Sequence, residues 1–132
     1  MKRHIALLLL GACMASAAVP TRPPEARQEP VLASFYGEEC RGLPMADRGR
    51  PFEPEALTCA SWFYDFGTVL EVRCGARTVL VVVTDRGPAW RLVKKGVVID
   101  LSAHAFALLS PDRKHPLRPG PIPVSIRPFH HP

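Results

Sequence analysis

Apolar and polar residues alternate along several short segments of the chain, in the pattern of half-buried β-strands. Residues 31–36 are apolar and aromatic and predict a first strand. Residues 68–73 alternate, a turn follows at 74–76, and residues 77–84 return, which together predict a β-hairpin. The returning strand holds the unbroken run Val79-Leu80-Val81-Val82-Val83, so we expect it to be buried on both faces.

The rest of the chain predicts two further strands, one helix and a long loop. Residues 96–101 form a short strand pattern, and Ser102 can cap a helix over residues 103–109. Residues 121–127 predict the last strand, with its proline-containing start at a sheet edge. Residues 38–54 are rich in Gly, Pro, Arg and Glu, so we expect a loop folded over one end of a barrel.

The N-terminus has the pattern of an export signal. Residues 1–17 combine basic residues with a short apolar stretch, far below the roughly 20 residues that cross a bilayer. Ala15-Ser16-Ala17 is one possible cleavage site, whereas Leu10-Gly11-Ala12-Cys13 is similar to a bacterial lipobox, in which Cys13 would carry the lipid. Residues 18–30 are proline-rich and polar, as expected of a tether.

Composition indicates one small β-rich domain. The chain has 132 residues, and its 15 prolines and 9 glycines favour many chain reversals over long helices. We expect the domain to cover residues 31–128, with a tail at 129–132, and to be a monomer.

Charge argues against a nucleic-acid partner. The net charge of +5 falls to +3 when Lys2 and Arg3 are removed with the signal. The remaining cations are scattered and lack the interleaved aromatic residues of a nucleic-acid reader, so a modest attraction to an acidic cell-wall glycan is favoured.

Cysteine usage fits an oxidising compartment better than a metal site. Besides Cys13 the chain has Cys40, Cys59 and Cys74, an odd number that leaves one thiol unpaired. No C-x-x-C pair is present, so we expect neither a metal nor another cofactor.

Four segments, taken in order, resemble motifs of one family, the rare lipoprotein A family of septal peptidoglycan lytic transglycosylases, which is related in fold to expansin and barwin domains. The segments are Ala33-Ser34-Phe35-Tyr36-Gly37, similar to A-S-W/Y-Y-G; Thr58-Cys59-Ala60-Ser61 with Phe66-Gly67-Thr68, similar to T-A-A-H-x-x-L-P-F-G-T; Val83-Thr84-Asp85-Arg86-Gly87-Pro88, similar to V-N-D-R-G-P; and Val98-Ile99-Asp100-Leu101-Ser102, similar to R-I-I-D-L-S.

The resemblance implies an all-β fold with one short helix, a six-stranded double-psi β-barrel. It implies a location in the periplasm or at the outer membrane, where a lipid on Cys13 would anchor the chain. It also implies cleavage of peptidoglycan strands that lack stem peptides, giving 1,6-anhydromuramic ends.

The family's catalytic pair is an Asp in D-R-G-P and a His in T-A-A-H. Asp85 matches the Asp, whereas Ser61 stands where the family has His. One carboxyl group can serve first as acid and then as base, so Asp85 is the candidate catalytic residue and Ser61 a candidate partner. Asp85 could instead contact carbohydrate without catalysis, or only support the turn.

Several neighbours are candidates for binding substrate. Aromatic rings stack on sugars, and four lie in or beside the motif loops: Tyr36, Trp62, Tyr64 and Trp90. Trp62 or Tyr64 could alternatively cover one end of the core. Arg86 is a further candidate whose direction the sequence leaves open, and Asp100 could contact substrate or hold the turn before the helix.

The resemblance also places Cys59 at a family alanine, while Cys40 lies in the loop expected over the same mouth. We therefore expect a disulfide between Cys40 and Cys59, with Cys74 as the spare. The competing function is a non-catalytic, expansin-like polysaccharide-binding module, which Ser61 in the His position favours. A secreted inhibitor is a third class.

Overall fold

Six strands of the chain close into a barrel in the computed structural model, which describes residues 30–132. The strands are β1 (Val31–Tyr36), β2 (Thr58–Ala60), β3 (Val69–Cys74), β4 (Arg77–Asp85), β5 (Val97–Ser102) and β6 (Ile122–Pro128). The helices are α1 (Trp90–Val93) and α2 (Ala103–Leu109), and Glu38–Cys40 forms one 3₁₀ turn. The predicted signal, the lipidation at Cys13 and nearly all of the tether lie outside the described residues.

The strands follow one another around the barrel in the order β1, β5, β2, β4, β3, β6. The pairs β1–β5 and β2–β4 are parallel, and the other four are antiparallel. The predicted six-stranded barrel is therefore confirmed, with mixed strand directions.

The interior of the barrel holds one hydrophobic core, and α2 contributes Ala105, Phe106 and Leu109 to it. On β4, Val79, Val81 and Val83 are buried whereas Leu80 is 38% exposed. The expectation that this strand is buried on both faces is wrong, because every second side chain of a barrel strand points away from its single interior.

Local signals placed the hairpin and the helix correctly. Cys74 pairs with Arg77, so Gly75 and Ala76 form a two-residue turn, with Gly75 at a φ of 58°. The side chain of Ser102 accepts the N–H of Ala105 at 3.3 Å and caps α2 as predicted.

The start of β6 is paired on one side only. Residues 122–124 pair with β1 and residues 125–128 pair with β3. Pro123 therefore lies where one neighbour is missing, which suits a residue without an N–H group.

The loop between β1 and β2 folds over one end of the barrel, as predicted. Met45 and Phe52 are buried, and Met45 Sδ accepts a hydrogen bond from Thr84 Oγ1 at 3.2 Å. Arg41 ties the loop together through ion pairs with Glu38 and Glu55. Within the described part of the chain, no helix is long and apolar enough to cross a membrane.

Strand register brings all four of the sequence motifs into one row. Ser34 of β1 pairs with Asp100 of β5, Asp100 pairs with Ala60 of β2, and Ala60 pairs with Asp85 of β4. A register shift at Cys59/Ala60 brings Asp85, rather than Thr84, opposite Ala60. Residues 34, 60, 85 and 100 are thus neighbours across four strands.

Candidate functional site

Asp85 is the last residue of β4 and is fixed through one of its carboxyl oxygens. Asp85 Oδ1 accepts the N–H groups of Ala46 and Arg86 at 3.1 and 2.9 Å. Oδ2 makes no hydrogen bond to a described residue and is not among the solvent-shielded polar atoms. One oxygen therefore supports the turn, while the other remains open to a ligand.

Arg86 points away from Asp85. Its Nη1 donates to the carbonyl oxygens of Ser61 and Tyr64, at 2.7 Å each, and its guanidinium lies 3.8 Å from the centroid of the Phe66 ring. Arg86 thus clamps residues 61–66 against the end of β4. Within residues 30–132 it forms no ion pair with Asp85, so its cation is directed into this loop.

Gly87 lies directly over Asp100. A Cβ atom on Gly87 would lie 3.2 Å from Ala60 Cβ and 3.4 Å from Asp100 Oδ2, closer than ordinary van der Waals contact at the first of these. The Gly87-Pro88 peptide is cis. The absence of a side chain at Gly87 therefore lets the turn after Asp85 approach Asp100.

Trp62 and Trp90 form an exposed stacked pair beside this turn. Their ring centroids are 5.2 Å apart with an interplanar angle of 20°, and Trp62 and Trp90 are 41% and 54% exposed. Trp62 Nε1 donates to the carbonyl oxygen of Pro88 at 2.7 Å. Two of the four predicted aromatic residues thus form a flat apolar surface beside the turn that follows Asp85.

Asp100 is partly buried and is held by a neighbouring strand. Ser34 Oγ donates a hydrogen bond to Asp100 Oδ1. Burial raises the pKa of Asp100, and the Ser34 hydroxyl partly opposes this effect because it stabilises the carboxylate. The contact that holds Asp100 therefore runs across the strands to Ser34, and its expected role in the turn before α2 stays a prediction.

Tyr36 is half-buried near Asp85 and Asp100 instead of being exposed at the surface. Its ring packs against that of Phe52 at a tilt of 31°, with centroids 4.2 Å apart. Burial, followed by the negative charge of Asp85 and more weakly that of Asp100, raises the pKa of Tyr36. Its Oη and Thr58 Oγ1 are both shielded from solvent, and the Thr58 hydroxyl, which lies within hydrogen-bonding reach of Tyr36, partly opposes the rise of that pKa. Tyr36 is thus placed under the loop, where its ring is packed and does not present a face for stacking on a sugar.

Ser61 and Tyr64 lie in the loop that follows β2, next to the end of β4, and their side chains are buried and half-buried, respectively. Ser61 is 1% exposed, and its Oγ accepts the N–H of Phe63 at 3.1 Å. Its own N–H donates to the carbonyl oxygen of Asp85 at 3.1 Å. Tyr64 is half-buried against the core, which matches the alternative that it covers one end of the barrel.

The expected disulfide between Cys40 and Cys59 is not formed, and Cys40, Cys59 and Cys74 are free thiols. Cys59 belongs to the core, where burial raises its pKa to about 12. Cys40 lies outside the core, in the 3₁₀ turn. The disulfide was expected because the resemblance placed both cysteines near the same end of the barrel, but it did not give the direction of either side chain.

A cleft of about 250 Å³ lies between the loop and β2, and it is lined by Met45, Arg50, Pro51, Glu53, Ala56 and Thr58. Met45 precedes Ala46, the residue whose N–H binds Asp85. The described residues contain no cluster of three or more His, Cys, Asp or Glu side chains suited to a metal ion.

Sequence reasoning did not single out Ser34 or Gly87. Both lie inside motifs that were recognised, but their roles depend on pairing with strands distant in the chain. Membership of a motif was the only available signal for them.

A family model described as lytic transglycolase matches residues 28–126. The chain belongs to this family of double-psi β-barrel domains. Among relatives of this lytic transglycolase domain, a protein named probable endolytic peptidoglycan transglycosylase RlpA, from Nostoc sp. strain PCC 7120, is 45% identical over 83 residues, which cover 59% of this chain and 21% of the relative. The match thus spans about a fifth of that relative's length.

A solved structure shares the fold. The Streptomyces papain inhibitor aligns with a TM-score of 0.58 and 23% identity, covering 81% of this chain and 98% of the inhibitor. At this identity the likeness concerns the barrel alone.

Proposed function

We propose that this chain is an endolytic lytic transglycosylase that cleaves peptidoglycan strands lacking stem peptides, with Asp85 as a catalytic carboxyl group. The observation that carries the proposal is the state of Asp85 at the end of β4. Two backbone N–H groups hold Oδ1, while Oδ2 is free of hydrogen bonds to described residues. Family membership and the name of the Nostoc relative support peptidoglycan as the substrate.

The reaction needs proton transfer at two oxygen atoms and consumes no water. The bond between C1 of muramic acid and the glycosidic oxygen breaks, and that oxygen receives a proton. The 6-hydroxyl of the same sugar attacks C1 and gives up its proton, which closes the 1,6-anhydro ring. The fixed geometry of Asp85 suits proton transfer at this centre, because a positioned carboxyl group contributes typically 10²–10⁴-fold to such a step.

The exposed Trp62–Trp90 pair is the proposed sugar platform. Sugar rings carry apolar C–H faces, and the two exposed indole rings present a flat apolar area beside the turn that follows Asp85. Trp62 is held in place by its hydrogen bond to Pro88, so the platform and Asp85 are joined through one turn.

We further infer export of the mature domain to the periplasm or the outer membrane, with Cys13 as the lipid anchor. The support is the signal-like sequence of residues 1–17. Labelling with palmitate should be lost in Cys13→Ala, whereas retained labelling would rule out Cys13 as the lipidated residue.

One observation favours a second candidate, a module that binds glycan without cleaving it. The family's His is replaced by Ser61, and Ser61 is 1% exposed with its hydroxyl engaged by Phe63. Ser61 therefore offers no titratable side chain to a bound sugar.

Incubation of the purified full chain with denuded glycan strands, followed by mass spectrometry, separates the two candidates. We expect anhydro ends with the wild type and about 10²–10⁴-fold less product with Asp85→Asn. Asp112→Asn is a matched control, because Asp112 Oδ1 also accepts two backbone N–H groups but lies in another loop. Binding to the sacculus without product would replace the enzyme proposal with the binding module.

A further inference from the structure

We propose that Asp100 is a second catalytic carboxyl group, which donates the proton to the glycosidic oxygen while Asp85 accepts the proton of the attacking hydroxyl. This inference rests on the proposed function. Asp100 would be the titratable partner of Asp85, a role that the Ser61 side chain cannot fill.

The strand register places the two carboxyl groups on either side of β2. Asp100 and Asp85 both pair with Ala60, one from β5 and the other from β4. Two inter-strand steps put their Cα atoms about 10 Å apart. Enzymes that cleave glycosidic bonds with two carboxyl groups separate those groups by roughly 5–9.5 Å, so side chains turned toward each other leave room for the scissile bond.

Each of the two groups has one restrained oxygen and one open oxygen. Asp100 Oδ1 accepts the Ser34 hydroxyl, and Asp85 Oδ1 accepts two backbone N–H groups. Neither Oδ2 atom has a hydrogen bond to a described residue, and neither is among the solvent-shielded atoms. Gly87 passes close to Asp100 Oδ2 without a side chain that would cover it.

The hydrogen-bond donors to Asp100 and to Asp85 differ: Asp100 accepts a hydroxyl group, whereas Asp85 accepts two backbone N–H groups. Asp100 is desolvated and receives a single hydroxyl donor, so burial raises its pKa and favours the protonated form that an acid needs. Besides Asp85, the titratable groups near Asp100 are Tyr36 of β1 and Cys40 of the 3₁₀ turn, and the pKa of each of these two is raised. No cation of the described residues lowers the pKa of Asp100, and the Arg86 guanidinium is directed into the 61–66 loop.

The proton balance closes with these two groups. Asp100 loses its proton to the leaving oxygen, and Asp85 gains the proton of the 6-hydroxyl as the C1–O6 bond forms. Exchange with solvent then returns Asp100 to the acid and Asp85 to the carboxylate. The charges of Asp85 and Asp100 both contribute to the raised pKa of Tyr36, so both carboxyl groups lie near its side chain.

The competing role of Asp100 is a clamp that joins β1 to β5 through Ser34. A clamp and an acid predict different pH profiles of kcat/KM for anhydro-end formation. An acid acts in its protonated form, so activity falls as the pH rises through its pKa. The Ser34 hydroxyl lowers that pKa, so Ser34→Ala should move the basic limb of the profile to higher pH.

The test therefore uses two variants of the full chain. We expect Asp100→Asn to lower kcat/KM by about 10²–10⁴-fold, and Ser34→Ala to shift the basic limb upward. Ser125→Ala is the control, because the Ser125 hydroxyl of β6 makes no hydrogen bond to a described residue. Its basic limb should stay at the wild-type position.

Near-wild-type activity of a folded Asp100→Asn variant would overturn the inference while leaving the proposed function intact. An unmoved basic limb in Ser34→Ala would do the same, and this result does not depend on the folding of Asp100→Asn. A wild type that forms no anhydro ends would overturn both the proposed function and the inference.

Discussion

At the scale of single residues, Gly87 lies close to both carboxyl groups of the proposed site. It follows Asp85 by two positions along the chain and lies over Asp100 in space. Its hydrogen atom occupies a gap bounded by Ala60 Cβ and Asp100 Oδ2, where a methyl group would be crowded. A change at Gly87 therefore disturbs packing and the proposed chemistry together.

Gly87→Ala should destabilise the domain and reduce cleavage. The added Cβ, 3.2 Å from Ala60 Cβ, forces a shift of β2 or of the turn, and overpacking of this kind costs about 1–3 kcal/mol. Urea unfolding monitored by circular dichroism measures this loss.

Gly120→Ala provides the matched control, because a Cβ there meets no atom within 4 Å. Its free energy of unfolding should stay near or slightly above that of the wild type. Equal stability of the Gly87 and Gly120 variants would contradict the crowding at Gly87.

The sequence identified the residues of the site better than their contacts. Asp85 and the two tryptophans could be selected because they lie in or beside a recognisable motif. The direction of Arg86 could not be predicted, because it depends on where the carbonyl groups of Ser61 and Tyr64 fall in the folded loop. The burial of Asp100 likewise depends on a turn thirteen residues earlier in the chain.

At the scale of elements, the 61–66 loop and α1 meet through the Trp62–Trp90 stack. Arg86 fixes the loop to the end of β4, and Trp62 is hydrogen-bonded to Pro88. Trp90 opens α1, so the stack joins the two segments on either side of the Asp85 turn. The platform is thereby held in a defined position before glycan binds.

Trp62→Ala and Trp90→Ala should each weaken glycan binding more than turnover. Loss of one ring removes apolar contact with a bound sugar and the support of the other ring, and an effect of about 1.4 kcal/mol would raise KM roughly tenfold. Initial rates at several glycan concentrations separate KM from kcat.

Leu117→Ala serves as the comparison, since Leu117 is an equally exposed apolar side chain, at 43%, in the segment before β6. Its KM should match the wild type. Unchanged KM in both tryptophan variants would contradict a sugar platform at this stack.

Elements with strong local signals were predictable, and those defined by distant pairing were not. The β3–β4 hairpin and α2 carry alternation, a glycine turn and a serine cap in contiguous sequence. Strand β2 has only three residues, and its partners lie on β4 and β5. The four-residue helix α1 is likewise too short for a periodic pattern.

At the scale of the whole molecule, Asp100 and the surface carboxylates affect stability in opposite directions as pH changes. A folded-state pKa raised by burial means that the stability contributed by Asp100 is present at low pH and is lost as pH rises through that pKa. Arginine partners lower the pKa values of four exposed or partly exposed carboxyl groups, whose contribution is lost as pH falls: Glu38, Asp47, Glu55 and Glu71.

Asp100→Asn should therefore gain stability relative to the wild type as pH rises. The surface carboxylates are present in both proteins and cancel in the difference, which leaves the charge of Asp100 as the pH-dependent quantity. Urea midpoints measured from mildly acidic to neutral pH give this difference. A difference that does not change with pH would contradict a raised pKa at Asp100.

The central claim is that the barrel cleaves glycan by intramolecular attack at the Asp85 site. Digestion of denuded strands in water labelled with heavy oxygen tests it most directly, because only hydrolysis transfers oxygen from water to the new end. The account predicts new ends that are one water lighter than hydrolytic ends and carry no label, and that are lost in Asp85→Asn. Labelled reducing ends, or unlabelled anhydro ends that persist in Asp85→Asn, would contradict it.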